Sequence, residues 1–83
     1  MTAEAPEHPT SIGNRLRAAR VRSVLTQEGL AAASGCGLAT IRRIEQGGME
    51  PRAETARRLA TALTIRAGWL MFGERPMDVE PRE

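Results

Sequence analysis

Residues 27–46 of this 83-residue chain read QEGLAAASGCGLATIRRIEQ, with small Ala31 and Gly35 set inside an apolar pattern of Leu30, Cys36, Ile41 and Ile44. No other feature constrains the fold as strongly, because this spacing suits two helices that cross at a steep angle through a tight turn. At Ala31 the first helix comes closest to the second, and a side chain larger than a methyl would push them apart. Gly35 falls at the turn, where a chain leaving a helix often needs a positive φ. Leu30, Ile41 and Ile44 then point inward, which leaves Leu38, Ala39, Arg42 and Arg43 on the outer face of the second helix.

The rest of the chain continues in helices. Ser11 is a plausible N-cap for a first helix running to about Arg22, with Ile12, Leu16 and Ala19 on one face. The second helix starts after Thr26, whose hydroxyl can cap it, and ends at Ser34. The third runs from about Leu38 to Gln46 and stops at Gly47 and Gly48. A fourth follows Pro51, from about Ala53 to Leu63, and buries Ala56, Leu59, Ala60 and Leu63 at helical spacing. A short fifth spans roughly Ala67 to Phe72 and is closed by Gly73. No strand pattern, internal repeat or low-complexity tract competes, so the expected fold class is all-α: a compact five-helix domain over residues 11–74. Residues 1–10 are expected to be a disordered N-terminal arm and residues 75–83 a flexible tail, since both are proline-bearing, charged and without periodic apolar positions.

Charge separates along nearly the same boundaries. Between residues 11 and 73, ten arginines stand against Glu28, Glu45, Glu50 and Glu54, a balance of +6, while the flanking segments carry −4, which returns the formal total to +2. Every cation is arginine and none is lysine. Arginine's planar fork suits phosphate and guanine, although a GC-rich genome would favour arginine codons as well. The chain shows no apolar run long enough to span a membrane and no charged-then-apolar leader, so the expectation is a cytoplasmic, nucleoid-associated protein. One cysteine cannot form an internal disulfide, and Cys36 reads as a small buried side chain rather than a redox sensor. His8 has no second ligand in view. Paired carboxylates, His/Cys clusters and a phosphate-binding glycine loop are all missing from the pattern, so neither an enzyme, a cofactor, a metal site nor a small-molecule ligand is expected.

Two helices joined through so tight a turn form a helix-turn-helix, whose second helix is built to enter the DNA major groove. The chain resembles the lambda-repressor-like, Cro/CI-type (XRE) family of DNA-binding domains over about three quarters of its length. The resemblance rests on Leu25, Thr26 and Gln27 opening the second helix, Ala31 and Gly35 at the turn, and Ile41 with Ile44, Glu45, Gln46 and Gly47 closing the third. A Pro51-led fourth helix and the closing run of Trp69, Leu70, Met71, Phe72, Gly73 and Glu74 complete it. It implies double-stranded operator DNA as partner.

Each DNA-facing residue has an alternative reading. Gln27, at the positive end of the second helix, is placed to grip a phosphate, as the resemblance implies; otherwise it is an exposed polar residue. Arg43 is one turn beyond Ala39 and long enough to reach guanine O6 and N7, whereas Arg42 points sideways toward phosphate; either could be a solvated charge. Leu38 and Ala39 stand where the family usually carries polar side chains, and could read a thymine methyl or mark weak sequence reading. Gly37 caps the third helix without the hydroxyl that Ser or Thr would offer, and Thr40 follows on the same first turn. Arg20 and Glu45 match a family pair that ties the first helix to the third and aims the arginine at the DNA backbone; a plain ion pair is the alternative. Arg52 is a further phosphate candidate, whereas Met49 stands where a basic residue is common. Arg15, Arg17, Arg22, Arg57 and Arg58 read as solvated faces.

A short helix cannot bury four consecutive large apolar residues, so Trp69, Leu70 and Phe72 are the candidate dimer interface, the alternative being that Trp69 and Phe72 cover the bottom of the core. Thr64, where the family favours glycine, loosens the corner before them. The reading is a homodimeric transcriptional regulator, a repressor on a palindromic operator. Phage repressor, restriction-modification controller and antitoxin all fit. The rival is a protein-interaction module or antitoxin subunit that uses Leu38, Ala39 and the apolar run on a partner such as a toxin.

Overall fold

In the computed structural model, which describes residues 11–79, Ser11 stands in extended backbone and its hydroxyl accepts the Asn14 N–H at 3.1 Å, opening α1 (Ile12–Arg22). Thr26 does the same for α2 (Gln27–Ser34), accepting from Gly29 at 2.9 Å. Both caps satisfy backbone donors that a helix start leaves without partners. Gly35 closes α2 in the left-handed region at φ 73°, the conformation the turn needs. Gly37 then opens α3 (Leu38–Glu45) with no side-chain cap, and Gln46 forms the C-cap rather than the last helical residue. Buried Pro51 leads to α4 (Ala53–Leu63), and α5 (Ala67–Phe72) ends at Gly73.

The helices wrap one core. Helix α1 packs on α3 and α5, α2 packs on α3 and α4, and α4 packs on α5. Leu16, Leu30, Ile41, Ile44, Leu59 and Leu70 are fully buried, one or two from each helix. Each contributes about 1.5–3 kcal/mol relative to an exposed side chain, which is how so small a domain holds together. Ile12, Leu25, Ala31 and Cys36 pack partly buried around them.

Three expectations need correction. Residues 75–79 are not a free tail: Asp78 forms an isolated antiparallel bridge with Ile65, the Arg66 N–H donates to the Met77 carbonyl at 2.8 Å, and Arg22 pairs with Asp78. Backbone pairing with the α4–α5 corner and Met77 against the core outweigh the segment's polar composition. Leu70 is fully buried and Trp69 nearly so, because α5 packs on both α1 and α4; the apolar run is mostly core, and only Phe72 stays open at 74 % exposure. Arg15 is buried rather than solvated, its guanidinium donating to the Leu70 and Met71 carbonyls. Arg22 remains on the surface, but in the pair with Asp78. The N-terminal arm, with His8, and residues 80–83 lie outside the described residues.

Candidate nucleic-acid interface

The residues of α3 (Leu38–Glu45) sort into two faces with Leu38 and Thr40 at the edges. Ile41, Ile44 and Glu45 face the domain and are buried, while Ala39, Arg42 and Arg43 are exposed. At about 100° per residue, Ala39 and Arg43 share the stripe opposite the core, Arg42 stands to one side, and Gln46 continues the stripe past the helix end. Gln46, expected only as the end of the helix, is exposed as well and belongs to this face. Leu38 and Thr40 are half-buried at the edges of the face, so of the two apolar residues at the start of α3 only Ala39 is fully presented. Arg42 also lies 3.7 Å from Glu28 of α2, an exposed ion pair that bridges the two helices of the motif.

Beneath this face, side chains from α1 and α2 converge on one carboxylate at the end of α3. Arg20 of α1 meets Glu45 in a bidentate contact, Nε to Oε2 at 2.7 Å and Nη2 to Oε1 at 2.9 Å, and its Nη1 donates to the Leu25 carbonyl. Gln27 of α2 donates from Nε2 to Glu45 Oε1 at 3.2 Å. Arg17, half-exposed, donates to the Glu45 carbonyl at 3.1 Å and lies 3.5 Å from its carboxylate. Burial pushes the Glu45 carboxyl up, but the hydrogen bonds from Arg20 and Gln27, with the charges of Arg20 and Arg17, outweigh it and hold the group below the ordinary glutamate range. The hydrogen bond to Glu45 in turn raises Arg20. A charge so matched does not suffer the penalty of an unpaired buried ion. The cluster therefore fixes the C-terminal end of α3 against α1 and the start of α2, and leaves Arg17, Arg20 and Gln27 grouped at the edge of the α3 face.

The remaining sites spread around this centre. Gly37 is exposed at the α3 N-cap, and Arg52 is exposed at the N-cap of α4, beyond the loop that carries half-buried Met49. Trp69 and Leu70 belong to the core, and Phe72 is the one member of the expected dimer set at the surface. Among the described residues no group of three or more His, Cys, Asp or Glu could hold a metal ion. Arg17 contacts the end of α3 rather than standing as a plain solvated charge; its spacing of three from Arg20, one turn of α1, is the signal in the sequence that puts both on the α3 side.

An exposed basic face on the second helix of a tight helix-turn-helix, braced from below by a buried ion cluster, defines a DNA-binding domain of the Cro/CI type. A family model described as "HTH_3: Helix-turn-helix" matches residues 16–70, and the chain belongs to that family. No curated protein sequence matches it significantly. Among solved structures, the restriction-modification controller protein C.AhdI from Aeromonas hydrophila is 34 % identical with a TM-score of 0.70, over 75 % of this chain and 94 % of that one. The P22 c2 repressor, solved in complex with synthetic operator 9T, is 28 % identical with a TM-score of 0.72, over 77 % and 97 % of the two chains. An HTH_3 family transcriptional regulator from Vibrio cholerae shares the fold, with a TM-score of 0.68 at 24 % identity, over 74 % of this chain and 34 % of that one. The family and these neighbours make the chain a DNA-binding transcriptional regulator. No helix among the described residues is long and apolar enough to cross a membrane.

Proposed function

We propose that the protein is a sequence-reading repressor that binds a palindromic operator as a homodimer, inserting α3 into the major groove. The observation that carries this reading is the exposed stripe of Ala39, Arg43 and Gln46, flanked by Arg17, Arg20 and Gln27 at the Glu45 cluster. Arg43 reads a guanine edge, Ala39 packs on a thymine methyl, and Arg42 and Arg52 meet phosphates. Gln27 and the free N–H groups at the start of α2 take a phosphate at the positive end of that helix. Arg20 and Arg17 add charge beside it. Gly37 lets the backbone approach the DNA closely, and half-buried Leu38 and Thr40 limit how far the groove floor closes on the helix.

Phe72 supplies the pairing surface. A large aromatic at 74 % exposure on a domain of this size is a patch that a second copy would cover, and a two-fold axis there would set recognition helices about 34 Å apart, one DNA turn. The likeness to C.AhdI favours the restriction-modification controller among the roles open to such a domain. The same Phe72 would serve a toxin or other protein partner, and salt separates the two uses, since DNA binding weakens steeply as salt rises while an apolar contact does not.

Fluorescence anisotropy against the DNA upstream of the protein's own gene and a scrambled duplex, at about 50 and 200 mM salt, tests the proposal. Tight, salt-sensitive preference for the upstream DNA is the expected result. Equal, weak binding to both duplexes would move the reading to a protein-interaction role or an operator elsewhere.

A further inference from the structure

We infer that Arg15, a buried cation outside the α3 face, is a positioning residue that sets the direction in which α5 presents Phe72. The inference rests on the proposed pairing of two copies through Phe72 and names what prepares that surface.

Helix α5 has six residues and no side-chain N-cap. A helix so short is not stable by itself and depends on tertiary anchors. Its last carbonyls can be followed one at a time. Those of Gly68 and Trp69 are taken by the backbone N–H groups of Glu74 and Gly73, at 3.3 and 2.8 Å. Those of Leu70 and Met71 are taken by Arg15, through Nε at 2.8 Å and Nη2 at 3.0 Å. A helix C-terminus carries partial negative charge, and a guanidinium is the side chain that can meet two successive carbonyls with a planar fork.

The placement is specific. Arg15 is 5 % exposed, burial lowers its pKa, and it projects from the α1 face that also carries fully buried Leu16 and Ala19. Leu70 anchors α5 from the core side, and the residue directly after the Met71 carbonyl is Phe72. The end of α5 from which Phe72 projects is thus held on one side by Leu70 packing and on the other by Arg15. Because Arg15 and the α3-facing Arg17 and Arg20 share α1, the pairing face and the DNA face are tied to the same rigid helix.

Analytical ultracentrifugation of the full chain tests this with wild type, Arg15→Lys, Phe72→Ala and the double variant. Lysine keeps the charge but not the fork. Arg15→Lys is expected to weaken dimerisation about tenfold, the effect of one lost charge-assisted hydrogen bond, and to change nothing further in the Phe72→Ala background. A purely structural role would lower the melting temperature and leave the dimer constant unchanged, and that result overturns the inference while the Phe72 pairing stands. A wild type that is monomeric at every concentration overturns the pairing itself and this inference with it. Should Arg15→Lys not fold, the Arg15 Nε–H of the wild type is followed by NMR hydrogen exchange below the dimer constant. Slow exchange is expected, and rapid exchange would show that no such anchor exists in the monomer.

Discussion

The backbone of Gly13 in α1 lies directly against the carbonyl oxygen of Ile44 in α3, so close that an added Cβ would collide with it and stand 3.0 Å from the Glu45 carbonyl oxygen. Helix α1 therefore approaches α3 as closely as backbones allow, and neither obstacle is a flexible side chain. Gly13→Ala is expected to cost about 1–3 kcal/mol, the usual range for overpacking a closed interface, despite alanine's better helix propensity. Urea unfolding measures this. Because relief requires α3 to move, DNA affinity should fall in the same variant under conditions where it remains folded.

The Glu45 cluster sits at the same junction and carries a pH signature. Its carboxyl is held below the ordinary glutamate range in the fold, so the stability it contributes is present above the unfolded-state pKa and is lost as pH falls through the depressed folded value. Thermal melts from neutral pH to about pH 3 should show wild type losing stability through that window more steeply than Glu45→Gln, which has no proton to take up. At neutral pH the order reverses, with Glu45→Gln the less stable because Arg20 loses its bidentate partner. Parallel acid profiles for the two proteins would remove Glu45 from the account.

How far these relationships could be read from the chain depends on their range. Ser11, Thr26, Gly35 and Gly73 mark helix ends through bonds to residues three or four positions away, so the five helices were legible within a residue or so. For Ala39, Arg42 and Arg43 the outward face of α3 followed from the 3.6-residue period, whereas Leu38 is half-buried at its edge. Arg15 was not legible, because an arginine that caps a helix 55 residues later looks identical in sequence to one in solvent. Residues 75–79 were missed for the same reason: their order comes from Ile65, Arg66 and Arg22, and their composition carries no trace of it. In the run from Trp69 to Phe72 the pattern showed that not every side chain could be buried, but the choice of Phe72 as the exposed one is made by where α1 and α4 lie.

Thr64 closes α4 in the left-handed region at φ 55° and ψ 43°, where a β-branched side chain is disfavoured. Such a conformation costs an L-residue roughly 1–2 kcal/mol, and glycine relieves it while giving back roughly 0.5–1 kcal/mol in chain entropy. Thr64→Gly should therefore raise stability by about 0.5–1 kcal/mol in urea unfolding. Thr64→Ala is the control, since it keeps a Cβ at the same φ and should yield much less. Equal gains from both would trace the effect to the exposed threonine side chain instead of the backbone.

The two kinds of DNA contact assigned to the interface predict different losses. Arg43 stands free of the core on the α3 stripe, so Arg43→Ala should cost about 1–3 kcal/mol on the best duplex and relax preference at one base pair per half-site. Gln27 stands at a helix start against Glu45, so Gln27→Ala should weaken specific and scrambled duplexes alike and leave the ranking of sequences unchanged. Anisotropy titrations over a panel of single-base operator variants, each at two salt concentrations, separate these outcomes. Unchanged ranking with Arg43→Ala would take base reading away from that residue and place it on Gln46 or on DNA shape. A loss with Gln27→Ala confined to particular sequences would instead show that the Glu45 cluster controls how α3 sits in the groove.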